Sequence, residues 1–190
     1  MLFRSGALYI REGVKLPPFI IGGAQESGRR GGTSAVPNIV GLGAACELAL
    51  MFDEHKRIET LRNKLETAIL DQIPNARLNG SAEPAKRLPN TSNISFEYVE
   101  GENILVHLDR AGVCVSTGSA CQSTTKQSSP TLRAMNVPYT AAQGSIRFSL
   151  GRYNTEEEID STLGVLPGII AKLVEMSPYD KELKALFAKG

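Results

Sequence analysis

The sequence is poor in side chains that bind metals or carry redox chemistry. Its 190 residues include three cysteines, Cys46, Cys114 and Cys121, and two histidines, His55 and His107. No Cys-x-x-Cys pair occurs, so a structural zinc centre, which needs four Cys or His ligands at tight spacing, has nothing to be built from. A small, odd cysteine count fits a reducing compartment, where thiols stay free. Charge of one sign is also missing: 21 Lys and Arg stand against 20 Asp and Glu, a net charge of +1. That balance leaves no electrostatic footprint for nucleic acid or an anionic membrane. No apolar run approaches the ~18 residues of a membrane span. The opening Met-Leu-Phe-Arg-Ser-Gly lacks the apolar centre of a signal peptide. Repeats, low-complexity tracts and the Gly-x-x-x-x-Gly-Lys-Ser/Thr nucleotide loop are absent. The expectation is a cytoplasmic protein that is not secreted, not membrane-bound and not disordered.

What remains is ordinary for a folded protein. Apolar residues make up 42% of the chain and charged residues 22%, values typical of globular domains. The length suits one domain, or one domain with part of another, and a core needs no disulfides. Residues 6–10 read as a short strand close to the start. From Ile20 to Thr33, five glycines and two arginines fall within fourteen residues. That composition predicts a loop with unusual backbone angles or a close backbone approach. A long helical pattern begins near Val36, with Pro37 tolerated in its first turn. Leu61, Leu65, Ala68, Ile69 and Ile73 keep helical spacing, and Pro74 stops it. Ile94, Phe96 and Tyr98 alternate with polar residues, as in a half-buried strand. Residues 101–112 read as a helix with Ile104, Leu105 and Leu108 on one face. Val113-Cys114-Val115 reads as a buried strand, and 116–129 as a polar loop. Leu132 to Met135 predicts one or two helical turns. Ile146, Phe148 and Leu150 alternate with Arg147 and Ser149, giving another strand. Thr155 and Glu158 form a capping-box signal. Ile159, Leu163, Leu166, Ile170 and Leu173 then line one helix face, with Pro167 a candidate kink. The tail to Gly190 reads as a short helix. The succession of helices and strands after residue 50 is α/β, and the first ~45 residues look like the end of another unit.

Three places have chemical potential. The glycine–arginine loop leads into Thr33 just before a helix, an arrangement that suits a phosphate, although a surface turn explains the spacing as well. Cys121 follows a strand in a small polar loop, Ser116-Thr117-Gly118-Ser119-Ala120-Cys121. A reachable thiol there needs positive charge or N–H groups nearby to become a thiolate, and Lys126 and Arg133 are candidates. Arg147 sits on a strand whose apolar residues face the other way, so a rigid guanidinium is available for a carboxylate. The plain alternatives are a turn residue for Cys121 and a solvated surface arginine for Arg147. His107, between Val106 and Leu108, reads as a half-buried helix histidine.

Taken together, the motifs resemble the C-terminal half of cysteine desulfurases of the NifS/IscS type. The matching stretches are Gln25-Glu26-Ser27-Gly28-Arg29-Arg30-Gly31-Gly32-Thr33, Leu88-Pro89-Asn90-Thr91-Ser92-Asn93-Ile94-Ser95-Phe96, Ser119-Ala120-Cys121 and Leu132-Arg133-Ala134-Met135. Ser145-Ile146-Arg147-Phe148-Ser149 and Thr155-Glu156-Glu157-Glu158-Ile159-Asp160 match as well. The likeness runs over essentially the whole chain and is closer to the nitrogen-fixation branch.

This resemblance implies a fold-type I pyridoxal-phosphate (PLP) enzyme. Residues 1–50 would be a remnant of the PLP-binding large domain with the start of the interdomain helix, and 51–190 the small C-terminal domain. The family acts as a homodimer, converting L-cysteine to L-alanine and leaving the sulfur as an enzyme persulfide. Cys121 would be the nucleophile and persulfide carrier, and a transient iron–sulfur ligand shared with a scaffold protein. Arg147 would hold the substrate carboxylate. Thr33 would bind the cofactor phosphate across the dimer, with Arg30 a second candidate in the same loop. The partners implied are L-cysteine, an iron–sulfur scaffold or other sulfur acceptor, and a second copy or an N-terminal half. The family's Schiff-base lysine belongs to a Ser-His-Lys sequence upstream of the position of Gly6, and no lysine here follows Ser-His. Lys126-Gln127-Ser128-Ser129-Pro130 also replaces the family's Glu-Pro-Ser after the cysteine. Two other readings stay open: a persulfide carrier or docking module working without PLP, and an inactive fragment.

Overall fold

The computed structural model describes residues 6–117 and 129–177. The backbone groups into two compact units, residues 1–52 and 53–190.

In the first unit the chain from residue 6 to residue 10 is not a strand, contrary to the sequence expectation. A strand needs a hydrogen-bonding neighbour, and the described residues of this unit contain no other strand. The glycine-rich segment is a loop, as its composition implies. It contains one 3-10 turn, Gln25–Gly28, in which Glu26 and Ser27 adopt left-handed backbone angles. Its ends are drawn together where Gly31 donates from its amide to the Ile20 carbonyl, 2.8 Å away. A Cβ on Gly31 would stand 2.7 Å from the Gly22 Cα, so glycine alone allows this approach. Helix α1, Val36–Leu48, follows, with proline in its first turn. None of its residues is buried.

The second unit is built from α2 (Phe52–Gln72), β1 (Ala76–Leu78), β2 (Thr91–Phe96), α3 (Gly101–Arg110), β3 (Ser116–Thr117), α4 (Pro130–Ala134), α5 (Tyr139–Gln143), β4 (Ser145–Ser149) and α6 (Glu156–Glu175). The four strands form one antiparallel sheet in the order β1-β2-β4-β3. Period-2 alternation decides its two faces. Ile94, Phe96, Ile146 and Phe148 point into a core shared with Leu61, Leu65 and Ile69 of α2, Ile104 and Leu108 of α3, and Leu166 and Ile170 of α6. These are the apolar positions that the helical spacing picked out. The Thr155–Glu158 capping box is formed in both directions, and α6 runs through Pro167 as one element.

Two local readings are corrected. Cys114 is exposed and lies outside any strand, while Val113 and Val115 on either side pack against the core. The side chains alternate there as in a strand, but the hydrogen-bonded pairing begins only at Ser116. Tyr98 does not extend β2, because its φ of 66° turns the chain toward α3. The expected C-terminal helix lies outside the described residues.

A half-buried ionic cluster ties the helical layer to the loop before β2. Glu66 of α2 receives both guanidinium nitrogens of Arg87, at 2.9 and 2.7 Å, and the Ser92 hydroxyl at 2.6 Å. Burial works to raise the Glu66 carboxyl, but the bonds from Arg87 and Ser92 outweigh it and hold the group below its usual 4.5. A carboxyl whose folded value is depressed stabilises the fold fully above its unfolded value. It loses that contribution as pH falls through the folded value. We therefore expect Glu66→Gln to destabilise the chain by about 2 kcal/mol at pH 7. The gap to wild type should narrow progressively below pH 4.5. Urea melts of both proteins at pH 7 and pH 3.5 check this, and a gap independent of pH would refute it.

Candidate functional site

The face of the sheet opposite the core is polar. It is formed by Arg77 and Asn79 at β1, Thr91, Asn93 and Ser95 of β2, Ser145, Arg147 and Ser149 of β4, and Ser116 of β3, all related by strand register. Arg147 lies at its centre, directly opposite Asn93 on one side and Ser116 on the other. Residues opposed in this way carry Cβ atoms about 4.5–5.5 Å apart on the same face. Arg147 is exposed, and it forms no ion pair or side-chain hydrogen bond with any described residue. Arg77, the other arginine of this face, already has a carboxylate, with Glu97 4.0 Å away. The uncommitted cation is the one on the inner strand.

Beside Arg147 runs a chain of hydrogen bonds. Asn79 Nδ2 donates to Asn93 Oδ1 and to Ser95 Oγ, each at 2.7 Å, and reaches Ser145 Oγ at 3.3 Å. Ser95 Oγ and Ser145 Oγ are 2.7 Å apart, and Ser145 Oγ donates to the Ala141 carbonyl at 3.2 Å. Ser95 and Ser145 are fully buried, covered on the polar side by the end of α5. Sequence reading missed this cluster. Alternation puts Ser95 on the face away from the core but carries no sign that this part of the face is covered. The signal present was a polar residue at every odd position from 91 to 95 and from 145 to 149, more regular than a solvated face requires.

Cys121 and Lys126 lie outside the described residues. The chain reaches that segment from Thr117 of β3, paired with Ile146 next to Arg147, and returns at Ser129 before α4. Arg133 is exposed on α4. His107 is half-buried, with Nδ1 2.9 Å from the Asn103 carbonyl, a helix-internal bond that fits the plain reading of this residue. Among the described residues no group of three or more His, Cys, Asp or Glu side chains converges as a metal site.

Comparison with known proteins matches residues 5–162 to the class-V aminotransferase family. The chain belongs to that family. A cysteine desulfurase of Gluconacetobacter diazotrophicus is 54% identical over 176 residues, covering 92% of this chain and 44% of the relative. The cysteine desulfurase NifS of Azotobacter vinelandii is 51% identical over 176 residues, covering 92% of this chain and 43% of the relative. Among solved structures, a NifS-like protein superimposes with a TM-score of 0.74 at 38% identity, over 87% of this chain and 42% of that one. This class-V aminotransferase chain thus spans less than half the length of the curated relatives it matches.

Thr33, which the sequence picks out as a phosphate-binding candidate of this class-V aminotransferase chain, lies in the first unit. It is exposed between Gly32, whose φ is 93°, and the start of α1. No hydrogen bond among the described residues uses the Thr33 hydroxyl or the amides of Gly32 and Thr33. Arg29 and Arg30 are exposed in the same loop. A hydroxyl, two amides and two cations within five residues of one loop are donors of the kind a phosphate takes. Thr33 belongs to the first unit and Arg147 to the second.

Proposed function

We propose that this chain is the C-terminal part of a PLP-dependent cysteine desulfurase, working as a dimer with the segment that carries the Schiff-base lysine. The observation behind this is Arg147, an uncommitted cation on a rigid inner strand, with the cysteine segment starting on the neighbouring strand. Arg147 takes the substrate carboxylate, fixing the amino acid against the polar face. Covalent geometry limits the reach of the nucleophile: four peptide links join Thr117 to Cys121, so their Cα atoms are at most ~14 Å apart. The Cys121 thiolate attacks the substrate sulfur. The S–S bond forms as the substrate Cβ–S bond breaks, the enzyme keeps the persulfide as its anion, the proton of the substrate thiol is returned to Cβ, and alanine leaves. PLP, when bound, supplies the electron sink for the pair released from that bond. Thr33, the Gly32 and Thr33 amides, and Arg30 would hold its phosphate, across the dimer. The persulfide then passes to an acceptor protein such as an iron–sulfur scaffold. The bare apolar surface of α1, with Val36, Ile39, Val40 and Leu48 all exposed, fits a chain that packs against more protein.

The test is alanine and persulfide production from L-cysteine with PLP, first on this chain alone and then with an N-terminal half carrying Ser-His-Lys. Activity only in the mixture supports the reading. Activity in neither, with Cys121 still reactive, favours a carrier without PLP. In the active mixture, Arg147→Ala should weaken cysteine binding roughly 10–100-fold, the loss of a charged hydrogen-bonded pair. Unchanged cysteine affinity would remove Arg147 from the site.

A further inference from the structure

The hydrogen-bond chain beside Arg147 has a direction, and the direction fixes an atom. The chain ends on the Ala141 carbonyl, which only accepts, so the Ser145 hydroxyl spends its proton there. Ser95 Oγ must then donate to Ser145 Oγ across their 2.7 Å contact. With its proton used, Ser95 Oγ accepts from Asn79, so the Asn79 atom facing it is Nδ2. The same Nδ2 faces Asn93 at 2.7 Å, and only the Asn93 Oδ1 can accept from it. The amide of Asn93 is therefore held one way round, oxygen toward Asn79. Its Nδ2 donates to no described residue, and Asn93 stands opposite Arg147 on the open face.

We propose that Asn93 is a second substrate-binding residue, donating from Nδ2 to the same carboxylate that Arg147 holds, and that Asn79 is the positioning residue that sets its orientation. This rests on the desulfurase reading of Arg147. A guanidinium and an amide side by side offer a planar carboxylate donors to both oxygens, so a substrate with a carboxylate next to its amine is selected over one without.

Cysteamine, which is L-cysteine without its carboxylate, separates a carboxylate contact from a general structural effect. Binding is measured in the assembly of this chain with the N-terminal half and PLP, in a Cys121→Ser background so that substrate is retained. Asn93→Ala should weaken L-cysteine about tenfold and leave cysteamine unchanged. Asn93→Asp, which sets a negative charge beside the carboxylate, should weaken L-cysteine further and tighten cysteamine. Asn79→Ala should weaken L-cysteine a few-fold, and should add nothing once Asn93 is already Ala. If Arg147→Ala changes the preference for L-cysteine over cysteamine but Asn93→Ala does not, the proposal fails and the desulfurase reading stands. If neither changes it, the reading of Arg147 fails as well. A second measurement uses the chain by itself, labelled with nitrogen-15. L-Cysteine should shift the Asn93 side-chain amide and the Arg147 Nε–H signals together, and cysteamine should shift neither. Movement of the Arg147 signal alone would overturn the role of Asn93.

Discussion

Cys121→Ser, in the reconstituted assembly, is expected to lower sulfur transfer from cysteine by about three orders of magnitude or more, the scale on which a lost nucleophile is felt. A serine hydroxyl has almost no anionic form at neutral pH and bonds poorly to sulfur, so the S–S bond has no donor. Cofactor binding should be untouched, because Thr33 and its loop belong to the other unit of the chain. The check is persulfide by mass spectrometry together with alanine release and the cofactor absorbance. Persulfide formation that survives the change would pass the carrier role to Cys114 or Cys46, both exposed.

Gly144→Ala should produce the largest loss of stability from the smallest change. Gly144 has φ near −89°, which any residue adopts, so its constraint is space rather than angle. A Cβ there would overlap the Phe96 carbonyl oxygen and stand 2.5 Å from the Val99 carbonyl oxygen. Both obstacles are backbone, and Phe96 donates its own amide to the Gly144 carbonyl at 3.1 Å, so neither side can retreat without breaking the β2–β4 seam. Overpacking of this kind costs about 3 kcal/mol, roughly 6–12 °C in melting temperature for a unit of this size. Gly164→Ala is the control: it lies within α6 with open space around it, and alanine there should gain up to ~1 kcal/mol. Thermal melts by circular dichroism compare the two. A Gly144→Ala protein that melts with wild type would refute the steric account.

The difference between those glycines is invisible in the sequence, because it depends on backbone that is distant along the chain. Helices α2 and α6 were legible because Leu65, Ile69, Leu166 and Ile170 repeat at a local period, and local periods need only the chain itself. The capping box at Thr155 is equally local. Arg147 was placed on the outer face of β4 by the same counting. The Asn79–Ser95–Ser145 cluster joins residues 16 and 66 positions apart, and polar residues carry no periodic mark that separates a buried one from a wet one. Cys114 was misjudged because two valines beside it suggested burial on both sides, where the backbone in fact alternates. Strand β3 holds only two residues, too few to leave a pattern. The family motifs suggest roles for Cys121, Arg147 and Thr33, but no motif carries the way an asparagine amide is turned, which depends on hydrogen bonds between distant parts of the chain.

The two-faced sheet has a consequence for how such a protein can change over generations. In β2 and β4 the even-numbered residues Ile94, Phe96, Ile146 and Phe148 build the core, while odd-numbered Asn93 and Arg147 meet the outside. Ser95 and Ser145, also odd, are the exception, since they are buried beneath α5. Side chains at the open positions 93 and 147 can therefore change with little effect on the core, and the core can repack at 94 and 146 with little effect on the open face. Insertions and deletions have no such freedom. One residue added within either strand exchanges the parity of everything beyond it, turning an arginine into the core and an isoleucine toward the open face. Lineages of this sheet should consequently vary in side chains and in the lengths of their connections, and hold the lengths of β2 and β4 fixed.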